Sequence, residues 1–276
     1  ASWTCDDPRR SCFIIGDIDG DSTIGAPGEA QTMPIIDCVT NTALVGVVPG
    51  GANQAHMFYL GNDGYTDDGW MTMQNIDWQC PKDETDDEAD MIAVQTGAGS
   101  AGRLLLVNIK VPALKGTLNQ VATSHNNGDT TIVAINTDCT IDDTGDDSVQ
   151  CFYGLSGSYY VVGRTRLRSI TATTGQTSPL KMGSGMWHLF VMGHQIECEG
   201  GASESGILVT NASNAIDTPF ASIGYRRRTL VVADAHIEGC AGASGGAIYA
   251  NDNTLPAGGG YESVINLFKV SLLESK

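Results

Sequence analysis

The chain has 276 residues and carries 32 acidic against 15 basic side chains, a formal charge of −17. Such an excess argues against a nucleic-acid binder, which would need Lys and Arg on phosphates, and against attachment to an anionic membrane. No apolar stretch reaches the roughly 18 residues of a spanning helix, so no membrane span is expected.

Residues 1–40 lack the periodicity that follows. Their apolar pieces at 12–15 and 33–36 read as short strands of an N-terminal capping segment, which would keep an open edge from pairing. Between them Asp17, Asp19 and Asp21 alternate around Gly20, a spacing able to offer several oxygens to calcium; an ordinary Asp/Gly turn is the alternative. Residues 42–47 open a first coil and 57–60 continue it. From Met71 one phrase then recurs seven times: two alternating apolar residues, a polar interruption, and two more inward-type residues in the opposite parity. The copies are Met71, Met73, Asn75, Ile76, Trp78; Leu104, Leu106, Asn108, Ile109, Val111; and Ile132, Ala134, Asn136, Thr137, Cys139. They continue as Tyr160, Val162, Arg164, Thr165, Leu167; Leu189, Val191, Gly193, His194, Ile196; and Leu230, Val232, Asp234, Ala235, Ile237. The last is Ile265, Leu267, Lys269, Val270, Leu272.

Alternation of period two marks a strand with one buried face, and a parity flip marks a bend between two strands aimed at one core. The bends at 75, 108, 136, 164, 193, 234 and 269 are 28 to 41 residues apart. Those steps are too short for strand–helix–strand units but suit solenoid coils of three short strands. A further strand fits most coils, starting near Met91, Gln120, Val149, Pro179, Gly206 and Gly246. Asn75, Asn108 and Asn136 would stand one above another at the bend, where Asn tolerates left-handed backbone.

This strand–Asn–strand bend resembles the right-handed parallel β-helix of the pectate-lyase-like superfamily, over roughly residues 41–276. The resemblance implies an all-β solenoid of about seven to eight coils with the N-terminal cap on residues 1–40. Arg164, Gly193 and Lys269 depart from the asparagine, so the ladder should end after its third member, with Asp234 an isolated return. An antiparallel sandwich of short strands is the alternative.

Eight cysteines form an even set: Cys5, Cys12, Cys38, Cys80, Cys139, Cys151, Cys198 and Cys240. None is spaced as C-x-x-C, which disfavours structural zinc. Cys5 and Cys12 enclose a small loop, Cys139 and Cys151 could clip the acidic loop between them, and Cys198 and Cys240 could bridge successive coils. Disulfides suit an oxidising, extracellular compartment; buried thiols stacked in a core are the alternative. The start at Ala1 without Met reads as a mature form after signal removal, with a trimmed chain the alternative, and Asn211 heads one glycosylation sequon.

Candidate chemistry is thinner. Acidic loops at 83–88 and 142–147 could hold calcium or a basic ligand, or be solvated turns. Asp138, Asp146 and Asp147 lie in motifs similar to polygalacturonase signatures, whose enzymes use paired carboxylates. Here only a short run separates the two motifs, where that family has a whole coil, so the echo is read as chance. A lyase would instead want an Arg or Lys base such as Arg166. Yet the outward row Asp77, Lys110, Asp138, Arg166, Gln195, His236, Ser271 reads first as a ladder of cross-strand pairs. Arg226, Arg227 and Arg228 form the one basic cluster and could meet an acidic sugar or neighbour; His194 reads as a core residue. Gly245-Gly246-Ala247-Ile248 resembles an element of polymorphic outer-membrane adhesins.

The resulting expectation is a secreted structural or adhesive β-solenoid, self-associating end to end and contacting polysaccharide or surface glycans. An extracellular polysaccharide lyase or glycoside hydrolase is the alternative, and a tailspike shaft a third. No cofactor is expected beyond possible calcium.

Overall fold

The computed structural model describes residues 12–15, 35–37, 58–62, 70–79, 90–96, 101–114, 120–125, 129–142, 149–170, 178–199, 205–210, 226–240, 246–250 and 261–273. All regular structure among them is β-strand. In chain order the strands are β1 (Cys12–Ile15), β2 (Ile35–Asp37), β3 (Phe58–Asn62), β4 (Met71–Gln79), β5 (Asp90–Thr96) and β6 (Ala101–Leu114). Then come β7 (Gln120–His125), β8 (Asp129–Ile135), β9 (Asp138–Ile141), β10 (Gln150–Val162), β11 (Arg166–Ser169), β12 (Leu180–Met192) and β13 (Gln195–Cys198). The remainder are β14 (Ile207–Val209), β15 (Arg226–Ala233), β16 (His236–Glu238), β17 (Ile248–Ala250), β18 (Tyr261–Phe268) and β19 (Ser271–Leu273).

Every described pairing is parallel, which excludes the antiparallel sandwich for these residues. The pairings fall into three ladders. Ladder one runs β1–β4–β6–β8–β10–β12–β15–β18. Ladder two runs β2–β4–β6–β9–β11–β13–β16–β19. Ladder three runs β3–β5–β7–β10–β12–β14–β17. Each strand thus pairs with its counterpart one repeat away, an arrangement compatible with a β-solenoid. The strands within residues 1–40 join the ladders themselves, β1 and β2 both pairing with β4. Residues 42–47 lie outside the described residues.

The core is the set of columns that the alternation selects. Met71, Leu104, Ile132, Leu189 and Leu230 are buried in ladder one, and Trp78, Val111, Cys139, Leu167, Ile196 and Ile237 in ladder two. In the fourth copy the parity differs from the sequence expectation. Tyr159 and Val161 are fully buried, whereas Tyr160 is 38% exposed and Val162 is half-buried. Residues 159–162 are apolar in both parities, so alternation cannot choose between them. The register decides, placing Tyr159 opposite Leu189 and Val161 opposite Val191. The bend then falls on Gly163, with φ 154°, and Arg164 is one additional residue in the corner before Arg166 rejoins Gln195.

In the last copy the inward positions reach the surface: Ile265, Leu267 and Leu272 are 38%, 46% and 51% exposed, although Leu230, Val232 and Ile237 in the same columns are buried. Two disulfides are described. Cys139–Cys151 clips the end of one turn to the start of the next strand, and Cys198–Cys240 joins the residues that close β13 and follow β16, 42 positions apart.

Candidate functional site

Among the described residues, the bend between ladders one and two carries a groove. Asn75, Asn108 and Asn136 all hold left-handed φ, between 52° and 56°. Asn108 donates from Nδ2 to Asn75 Oδ1 at 3.0 Å, and Asn136 to Asn108 Oδ1 at 3.3 Å. The side-chain ladder then gives way to Gly163 and Gly193, while backbone bonds continue the column from Gly163 N–H to Met192 O and from Gly193 N–H to Ala233 O. Glycine is required there by contact as well as by φ. A Cβ on Gly163 would sit 2.6 Å from Asn136 Oδ1, and one on Gly193 would meet the Gly163 carbonyl. Asp234 (φ 48°) and Lys269 (φ 51°) resume the column with side chains, their charged ends 3.8 Å apart.

Two successive glycines leave a groove of about 640 Å³ at this corner. Val162 and Met192 give it apolar wall, and Arg164, Gln195, Asp234 and His236 give it polar edges. The Arg164 side chain is exposed, and no partner is described for its guanidinium among the described residues. His194 also lines the groove, but it is fully buried. Its Nδ1 lies 3.2 Å from the Thr165 carbonyl and 3.4 Å from the Thr165 hydroxyl; its Nε2 has no partner among the described residues. Burial lowers its pKa, against the opposing pull of backbone hydrogen bonding at Thr165 and Val162, so the ring is favoured in its neutral form.

The outward row read from the sequence is one column of ladder two. Asp77 stands opposite Lys110, Lys110 opposite Asp138, Arg166 opposite Gln195, Gln195 opposite His236, and His236 opposite Ser271. Lys110 Nζ is 3.2 Å from Asp77 Oδ2. Asp138 is half-buried and Arg166 exposed; their rungs are adjacent, since Leu167 pairs with Cys139. Asp146 and Asp147 lie outside the described residues, as do Asp17, Asp19, Asp21, Cys5, Cys38, Cys80, Asn211 and the acidic residues 83–88. Of Cys12 only the backbone, in β1, is described. Among the described residues no group of three or more His, Cys, Asp or Glu could hold a metal ion. No helix there is long and apolar enough to cross a membrane.

The basic cluster does not offer Arg228 to a ligand. Arg228 is 3% exposed and donates to four carbonyls: Nε to Met186 O, Nη1 to Thr210 O, and Nη2 to Met182 O and Gly183 O. A corner packed with inward-turned carbonyls draws the guanidinium in, because five fixed donors satisfy several of them at once. The side chains of Arg226 and Arg227 are outside the described residues.

Two features escaped the sequence reading. Glu238, two residues beyond the outward row on the same face, accepts from Gln195 Nε2 at 3.4 Å and meets His236 Nε2 at 3.1 Å. Lys181, buried on the outer face of ladder three, places Nζ 4.5 Å from the centre of the Tyr153 ring, and burial lowers its pKa. The i, i+2 spacing of His236 and Glu238 was available as a signal, since alternate residues share a face. Comparison with family models, with curated proteins and with solved structures finds no match to this chain.

Proposed function

We propose that the chain is a right-handed parallel β-helix of the pectate-lyase-like type, about seven to eight coils long with an N-terminal cap, acting as a secreted structural or adhesive subunit that contacts glycans. The observation that carries the glycan contact is the groove at the Gly163 and Gly193 corner. Arg164 and Asp234 give it exposed polar groups, and Val162 and Met192 line it with apolar surface. That division suits a sugar ring, which offers hydroxyls at its edge and C–H groups on its face. Arg164, with no partner among the described residues, favours a sugar bearing a carboxylate. The scaffold role is supported by the outward column, where Lys110 is engaged with Asp77. The two disulfides fit an extracellular setting.

A glycan array probed with the purified chain tests this reading. Binding to uronate-containing glycans is expected, weakened at least tenfold by Arg164→Ala and falling with ionic strength. No binding across acidic and neutral glycans, or binding that ignores Arg164, removes it. The exposed Ile265, Leu267 and Leu272 support end-to-end association of copies, since their column neighbours are buried. Sedimentation that stays monomeric at 100-fold increasing concentration removes that part.

A further inference from the structure

Beside the groove, a connected set of side chains crosses the last three rungs of ladder two. Gln195 on β13 donates to Glu238 Oε1 at 3.4 Å. Glu238 Oε2 lies 3.1 Å from His236 Nε2, and His236 Nδ1 lies 2.9 Å from Ser271 Oγ. A carboxylate accepts only, so the neutral ring carries its proton on Nε2 towards Glu238 and turns the Nδ1 lone pair to the Ser271 hydroxyl. A general base needs that orientation: hydrogen-bond reach of the proton it removes, and a third group fixing its tautomer. Parallel strands in register hold all four residues, and Gln195 and His236 also line the groove. The side chains of His236 and Glu238 are 33% and 39% exposed, and Ser271 is exposed, so an incoming molecule can reach them.

We propose that Ser271, His236 and Glu238 form an acyl-ester hydrolysing site, with Ser271 as nucleophile, His236 as general base and acid, and Glu238 as the group that orients the ring. Ser271 Oγ attacks the ester carbonyl carbon while its proton passes to His236 Nδ1. The tetrahedral intermediate collapses, the carbon–oxygen bond to the alcohol breaks, and His236 returns the proton to the departing alkoxide. This leaves Ser271 acylated. A water molecule, losing a proton to His236, then attacks the acyl carbon; the carboxylic acid departs and Ser271 recovers its proton. The balance is ester plus water to acid plus alcohol, with nothing oxidised or reduced. Glu238 keeps its charge throughout and stabilises the imidazolium as it forms. Short acyl groups suit an open face, and the polar rim suits a hydroxyl-rich alcohol such as an O-acylated sugar. That last point rests on the glycan reading above; the hydrolytic step does not.

The test is fluorophosphonate labelling of the full chain, with peptide mapping, alongside hydrolysis of p-nitrophenyl acetate. One adduct on the Ser271 peptide is expected, absent in Ser271→Ala and formed at least a hundredfold more slowly in His236→Asn, the usual scale of a general base. In Glu238→Gln, p-nitrophenyl acetate hydrolysis should fall tenfold or more. The loss should fall on kcat with KM within about twofold of wild type, whereas a merely structural Glu238 would not separate the two. A wild-type protein left unlabelled at Ser271 overturns the proposal, and mapping of wild type decides the matter even where a variant fails to fold. Ester hydrolysis unchanged in Ser271→Ala overturns it too. Acetate release from an acetylated polysaccharide supports the sugar-ester class. Cleavage of the nitrophenyl ester without such release upholds the site and removes the sugar.

Discussion

Replacing Arg228 with methionine keeps the aliphatic stem but withdraws every donor from the corner it fills. Four carbonyls lose a bond, at 3.2, 2.7, 3.3 and 2.7 Å. Met182 O still accepts from the Thr210 N–H and hydroxyl, so three carbonyls, of Met186, Thr210 and Gly183, are left a donor short. A buried acceptor deprived of its donor costs about 1–2 kcal/mol here, so the gross loss is about 3–6 kcal/mol. Removing a charge that is 3% exposed returns part of this. The net expectation is about 2–4 kcal/mol, or roughly 4–16 °C in Tm for a chain of this size. Chemical denaturation of wild type, Arg228→Met and Arg228→Lys under non-reducing conditions measures it. Lysine keeps the charge with fewer directed donors and should fall between the other two. A methionine variant within 1 kcal/mol of wild type would refute the corner-bracing account. A methionine variant more stable than wild type would mean that desolvation of the guanidinium outweighs its four bonds.

Three further outcomes follow from the same geometry. Asn108→Ala breaks both side-chain bonds of the asparagine ladder and puts alanine at φ 52°, so it should cost about 2–3 kcal/mol by denaturant midpoint. Gly should be milder at that position than Ala. His194 has its pKa lowered in the folded state, so the folded chain resists protonation more than the unfolded chain does. Its contribution is therefore fully present above the unfolded value, about 6.5, and is lost as pH falls below it; thermal scans from pH 8 to pH 5 should show less acid sensitivity in His194→Gln than in wild type. Opening Cys198–Cys240 by a double serine substitution frees a 42-residue separation in the unfolded chain, and loop-closure entropy sets the loss at about 4 kcal/mol. Equal midpoints for the serine variant and wild type would show that the cross-link is energetically idle.

The ladders were legible because alternation is a local signal: Leu104, Leu106, Ile109 and Val111 leave one choice of inward face. The residues at 159–162 offered two choices, and only pairing with β12 settled which was taken. Arg228 was misread for a different reason. A run of three arginines looks like a solvated patch, and nothing local announces the four carbonyls gathered from positions 18 to 46 residues earlier. Glu238 went unnoticed because the sequence reading followed one outward column and the acid belongs to the next, two residues along the same face. Long-range convergence of this kind is invisible to periodicity, which reports only what each strand does by itself.

The additional residue at the Gly163–Arg164 corner has a consequence for how such a chain can change. Above it Val162 pairs with Met192, below it Arg166 pairs with Gln195, and both ladders pass the corner without slipping. A length change at a bend is therefore quarantined: it alters what projects from the surface and leaves the buried columns untouched. The corner column is thus one place where this chain can gain or lose a residue and vary its exterior while its interior stays fixed.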